Sequence, residues 1–326
     1  MKSVLIGKEI LMPIFKDTTS ENIYLQLVNQ IDKIYRHLHQ GSYKTRPRYK
    51  AAVLDYCAFV AAEFHLQKFQ NTKSKHVTAW VHNMKSRHLG PSTIKTNLSG
   101  LRFFLDQVSG SEYIPSNSEL ELTERVLQGI DRFWTEEELE GMISIAQNLH
   151  RYDLVLILKI ARHLGLRIHE VIKLDRAQIE YALRHHVLIV KGKGGRIRSI
   201  PVSTKAAEIL QECLDISYRG QKVFVPQGMK AHQVQDQVRN FIFNHRSKVQ
   251  ENNRLDQREQ QYMRELGLNG YSTNITYHGI RHSYGREQYL LRRNQGLSPK
   301  EARQQVALLL GHGRDQVTMV YTGSKL

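Results

Sequence analysis

The 326 residues carry 47 Lys and Arg against 31 Asp and Glu, a formal charge of +16 at neutral pH that favours a polyanionic partner or an anionic surface. The length exceeds one ordinary core, so two domains are expected. No apolar run approaches the roughly 20 residues of a membrane-spanning helix, and Met1 to Phe15, broken by Lys8, Glu9 and Pro13, does not read as a cleavable leader. Cys57 and Cys213 lie far apart without CxxC partners, which argues against a disulfide framework or a zinc site and for a cytoplasmic protein.

The chain opens on an irregular arm, residues 1–20, with a short strand expected around Val4 to Ile6. Four amphipathic helical patterns follow, Glu21 to Leu38, Pro47 to Phe64, Lys75 to Arg87 and Ser92 to Val108, and predict a small all-helical domain over residues 21–110. Between Gly41 and Gly110 eleven Lys or Arg stand against three acids. A single basic run is usually a solvated surface. At this density Lys44, Arg46, Arg48, Lys50, Lys73, Lys75, Lys85, Arg87 and Lys95 are better explained as phosphate contacts on a DNA-facing surface.

From Ser111 to Glu140 the sign reverses, nine acids against Arg125 and Arg132, and Ser, Pro and Gly give residues 111–133 the character of a linker. The second domain is expected over residues 134–326. Thr135 with Glu138 forms a capping-box pattern that opens a helix from Glu136 to about Ala146. An apolar helix from Asp153 to His163 stops at Gly165, and Arg167 opens the next helix, RIHEVIKL. An arginine at a helix start is usually solvated, but Leu164, Leu166, Ile168 and Val171 are buried in type, so this one must leave a packed region and needs an anion or carboxylate. Glu170 is spaced to orient it or a neighbouring histidine.

Two β-runs, His186 to Val190 and Ile197 to Val202, flank KGKGGR, a glycine-rich hairpin turn. It lacks the GxxxxGK[ST] order of a phosphate-binding loop. A lysine on such a turn can instead reach a DNA groove, and Lys191, Lys193 and Arg196 are the candidates. Thr204 to Leu214 reads as a helix, Val223 to Val225 as a further strand and Ala231 to Arg246 as a helix, while Ser247 to Glu265, nearly all polar, is expected as either a long exposed helix or a mobile insertion. Thr276 is an expected N-cap. His278 and Arg281, three apart, then share a face in the first turns, where the unpaired N–H groups favour an anion. The apolar run Val306 to Leu310 stops at Gly311, His312 follows, and the interval to Tyr321 accommodates a turn and a short helix.

The chemistry-bearing residues are therefore Arg167, Lys193, His278, Arg281, His312 and Tyr321. HGIRH lacks the glutamate of HExxH, and no serine or cysteine nucleophile signature is present. Two arginines, two histidines, a lysine and a tyrosine suit charge neutralisation and proton transfer around a pentacoordinate phosphorus.

In these motifs the sequence resembles the tyrosine recombinase (phage integrase) family. GLRIHE matches its first arginine motif, KGKGGR its hairpin lysine, HGIRH its HxxR box, and LLGHG with VYTG its last histidine and its nucleophile. The resemblance covers roughly Thr135 to Tyr321, and more loosely the helical segment before it. It implies a mainly α fold with a small antiparallel sheet in the catalytic domain, a two-domain clamp on double-stranded DNA at specific recombination sites, and a homo-tetramer on DNA, with room for accessory DNA-bending proteins. The implied chemistry is attack by Tyr321 to form a 3′-phosphotyrosyl link. Arg167, Arg281 and His312 would stabilise the phosphate oxygens, with His278 as base and Lys193 as acid, and neither cofactor nor metal is required. A type IB topoisomerase-like enzyme and a catalytically silent DNA-binding protein are the alternatives. The short HxxR and GHG motifs with a separate helical domain argue against the first, and a complete catalytic set against the second. The family often has an aspartate where this chain has Gln178, a difference read as structural. With only Thr322 to Leu326 after the tyrosine, the apolar arm is expected either to join subunits or to cover its own domain.

Overall fold

Asp17 starts the first helix ahead of its apolar pattern, because its carboxylate accepts the Ser20 N–H at 2.7 Å and satisfies one of the open donors of the first turn. Residues 17–20, expected in the arm, thus belong to helix α1 (Thr18–His37) and its cap. The computed structural model describes residues 15–38, 45–108, 113–122, 133–192, 195–250 and 274–312. Helices α2 (Thr45–Phe64), α3 (Ser74–Ser86) and α4 (Pro91–Leu105) complete the set foreseen from periodicity. The expected strand near Val4 to Ile6 and residues 251–265 of the polar stretch lie outside the described residues. The chain divides into two compact units between Arg125 and Val126.

In the first unit Leu27, Ile31, Val53, Tyr56, Trp80, Leu98 and Phe104 form one core. A methyl group at Gly100 on α4 would stand 3.2 Å from the Tyr49 backbone on α2, so the missing side chain lets these helices approach closely. Phe15 packs on Tyr24 with ring centroids 5.3 Å apart, placing the end of the arm against its own domain.

The second unit is built around the apolar helix α6 (Tyr152–Leu164), which packs against α5 (Glu136–Asn148), α9 (Thr204–Asp215) and α11 (Tyr277–Asn294). Between α6 and α9 run the short helix α7 (Ile168–Val171), α8 (Arg176–His185) and a two-stranded antiparallel sheet, β1 (Val187–Lys191) and β2 (Ile197–Pro201). Helix α10 (Ala231–His245) precedes α11, and α12 (Pro299–Leu310) follows it. The fold is mainly helical with this one small sheet among the described residues.

One helix was not foreseen and one expected strand is corrected. Helix α8 escapes the periodic reading because only Ile179 and Ala182 of its ten residues are buried. Val223 to Val225 forms no strand: Lys222 makes an isolated bridge to Asp175, and the Val223 N–H donates to the Leu174 carbonyl at 3.0 Å. Gln178 shares the N-terminal capping box of α8 with Asp175, a structural role. No described helix is long and apolar enough to cross a membrane.

Candidate active site

Helix α6 ends at Gly165 in the left-handed conformation, φ 60°, and the chain turns through Leu166 to Arg167 before α7. Leu166 and Ile168 are buried on either side, so the Arg167 guanidinium leaves the core between them. Its partner is Glu170, 3% exposed. The Arg167 N–H donates to Oε2 at 2.7 Å and Nη1 to Oε1 at 3.0 Å, while Nη2 reaches the Gly311 carbonyl at 3.4 Å. Of the two partners foreseen for Glu170, the structure selects the arginine.

Arg281 is fully buried, an arrangement that a guanidinium tolerates only when its donors are occupied. It donates to the carbonyls of Gly165 and Leu310, stands 3.9 Å from Glu170 Oε2, and has Nη2 3.5 Å from His312 Nε2. The start of its helix is pinned by Trp134, whose indole N–H donates to the Thr276 carbonyl at 2.9 Å while its backbone N–H donates to Ser283 Oγ at 2.9 Å. Thr276 occupies the N-cap position without a side-chain capping bond.

His312 directly follows the left-handed Gly311 that closes α12, and its backbone N–H donates to the Ala307 carbonyl at 2.8 Å. Burial, then the charges of Arg281, Arg167, His278 and Arg198, hold its imidazole at about 3, so it is neutral near pH 7. A neutral imidazole can donate one hydrogen bond to a phosphate oxygen. His278 is exposed and lines, with Arg167, a cleft of about 490 Å³. A second cleft of about 400 Å³ contains Arg167, Arg196, Arg198 and His312. Arg167 borders both, so the two histidines flank one arginine.

The structure therefore brings Arg167, His278, Arg281 and His312 together. Lys193 and Tyr321 lie outside the described residues. Lys191 and Arg196 are exposed at the hairpin. Of the basic residues in the first unit, Arg46 and Lys50 lie over the Tyr35 ring, at 5.1 and 4.9 Å, and Lys50 also pairs with Asp32. Arg48 donates to Asn97 and Arg87 to Asp55, whereas Lys73, Lys75 and Lys85 present exposed side chains and Lys95 a half-buried one. Lys44 is outside the described residues.

Sequence reasoning missed Arg198. On β2 it shares the inward face with Ile200, and its guanidinium grips Glu170 with both Nη atoms at 2.7 Å. The available signal was the alternation of IRSIP, which puts Arg198 in phase with Ile200. Burial pushes the Glu170 carboxyl up, but the Arg198 hydrogen bonds and charge, the Arg167 N–H and the Arg281 charge outweigh it and hold it at about 2.

Comparison with known proteins fits this arrangement. A family model described as the phage integrase family matches residues 132–325, and one described as phage integrase, N-terminal, matches residues 25–114. The tyrosine recombinase XerC of Chlamydia trachomatis serovar L2 is 27% identical over 238 residues, 72% of this chain and 68% of its own. XerC of Roseiflexus sp. strain RS-1 is 23% identical over 301 residues, 90% and 88% of the two chains. Among solved structures, a fragment of λ integrase crystallised as a dimer bound to a COC′ core site is similar in fold over 93% of this chain and 95% of its own, with a TM-score of 0.56 at 16% identity.

Proposed function

The chain belongs to the phage integrase family and is a tyrosine site-specific recombinase acting on DNA, and we propose that it cuts and rejoins through a 3′-phosphotyrosyl intermediate formed by Tyr321. The tyrosine oxygen attacks the scissile phosphorus, the bond to the 5′ oxygen breaks, and the phosphate stays on Tyr321. His278 takes the phenolic proton, and Lys193 gives one to the departing 5′ oxygen, leaving a hydroxyl. That hydroxyl on a partner strand later attacks the phosphotyrosine and regenerates the enzyme. Arg167 and Arg281 neutralise the non-bridging oxygens, and His312 donates to one of them as a neutral imidazole.

The observation that carries this reading is the convergence of Arg167, Arg281 and His312 around Glu170, with His278 lining the neighbouring cleft that Arg167 also borders. Three guanidiniums, those of Arg167, Arg281 and Arg198, around one carboxylate leave a net positive floor suited to an anion, and the nearby imidazoles supply hydrogen bonds and a base. The partner is double-stranded DNA at specific recombination sites, bound by a homo-tetramer that passes through a Holliday junction, with accessory DNA-bending proteins where a site requires them. The exposed lysines of the first unit add phosphate contacts. Two buried thiols without a disulfide, Cys57 and Cys213, suit a cytoplasmic location.

The test is covalent capture on a nicked suicide substrate, whose short fragment bearing the freed 5′ hydroxyl diffuses away after cleavage. The unmodified chain should accumulate a protein–DNA adduct. Tyr321→Phe should form none while binding DNA with little change, because the phenol is needed for attack and hardly for affinity. An adduct persisting in Tyr321→Phe moves the nucleophile elsewhere.

A further inference from the structure

Arg198 belongs to none of the motifs that carry the proposed chemistry, yet three of their segments meet on it. Its position on β2, opposite Val190 and in phase with Ile200, sends the side chain into the core, where it is 9% exposed. Nη1 and Nη2 each donate to a different oxygen of Glu170 at 2.7 Å, and Nε donates to the Leu309 carbonyl at 2.8 Å, just before Gly311 and His312. A Cβ on Gly311 would stand 3.0 Å from Arg198 Cδ, and one on Gly192 would stand 3.2 Å from Glu170 Oε1 and 3.4 Å from Arg198 Nη1. Glycines of the hairpin motif and of the GHG motif thus close directly onto the Arg198–Glu170 pair.

The charges in this cluster do not balance pairwise. One carboxylate faces three guanidiniums, bound in fork-to-fork geometry by Arg198, at 3.0 Å by Arg167 and at 3.9 Å by Arg281. We propose that Arg198 is a positioning residue which takes up the charge of Glu170, so that Glu170 can hold Arg167 and Arg281 in place without cancelling the positive charge they present to the scissile phosphate. Remove Arg198 and the buried carboxylate must draw its balance from Arg167 or Arg281, the groups that meet the substrate. The proposal rests on the assignment of Arg167 and Arg281 to the phosphate oxygens.

The experiment compares Arg198→Met, similar in length and uncharged, with the unmodified chain in single-turnover cleavage of two substrates. One carries an ordinary scissile phosphodiester and the other a methylphosphonate, in which one charged oxygen is replaced by methyl and the arginines have less charge to neutralise. Arg198→Met should lose on the order of a hundredfold on the phosphodiester, and clearly less on the methylphosphonate, measured on the folded fraction and with DNA affinity retained. Equal losses on both substrates would overturn the proposal, as would no loss. A loss erased instead by a 5′-bridging sulfur, which leaves without a proton, would place Arg198 in the service of Lys193 and also overturn it. Arg198→Lys retains the charge without the fork and should fall between the other two. If the methionine variant does not fold, the lysine variant decides by the same comparison, a smaller defect on the methylphosphonate supporting the proposal and an equal one refuting it. An unmodified chain that forms no adduct would refute the parent reading, whereas an active chain indifferent to Arg198 refutes only this inference.

Discussion

His312 sits in a position whose titration can be read from outside. Its folded value, about 3, lies below the ordinary imidazole value of 6.5, so between these two the unfolded chain binds the extra proton. Stability should therefore be fully present above pH 6.5 and fall as the pH drops toward 3. Replacing His312 with Asn should flatten that part of the profile in urea unfolding measured across the range. An unchanged profile would mean that the imidazole is not held neutral. Gly165 offers a second test. A Cβ there would collide with the Tyr284 ring, at a left-handed φ, and the Gly165 carbonyl accepts from Arg281. Gly165→Ala should destabilise the chain by about 2 kcal/mol or more, and it should cost cleavage beyond the loss of folded protein. At this scale Arg167 was legible because a charged residue stood among buried types. Arg198 was not, because IRSIP can be read in either phase, and the structure exposes Ile197 to 71% while burying the arginine.

At the scale of elements, long apolar patterns were sufficient: α2, α6 and α10 fall close to where the apolar residues put them, since α10 buries one stripe and α2 and α6 are buried over most of their circumference. What failed was short or polar. Helix α8 buries little, α7 is a single turn, and the apolar run Val223 to Val225 is a loop held by one backbone bond to Leu174. The hairpin leaves one choice to experiment. Lys191 ends β1 with an exposed side chain, while Lys193 stands between two glycines of the turn sequence. If Lys193 is the acid, Lys193→Ala should recover cleavage on a substrate with a 5′-bridging sulfur, and Lys191→Ala should show no such selective recovery. The reverse pattern would exchange the two assignments. The other tyrosines near the HxxR segment are poor nucleophiles, because Tyr277, Tyr284 and Tyr289 are all buried and burial pushes the first two phenols up.

For the whole molecule, charge and periodicity announced the basic helical half and ordered motifs the catalytic half, because all three survive without tertiary information. The end of the arm was less legible, since the Asp17 cap acts through a local hydrogen bond rather than an apolar pattern. If the first unit contributes phosphate contacts, a fragment beginning near Phe133 should bind DNA more weakly and with a shallower salt dependence, each lost contact reducing the slope by about 0.9. An unchanged slope would mean that the basic residues of the first unit do not touch DNA. The most direct test of the central claim is the identity of the covalent bond. An adduct trapped on a suicide substrate, digested with trypsin and sequenced by mass spectrometry, should carry the 3′-phosphate end of the DNA on the peptide Asp315 to Lys325, at Tyr321. DNA attached through a 5′ phosphate, or carried on a peptide containing Tyr277, Tyr284 or Tyr289, would contradict the account.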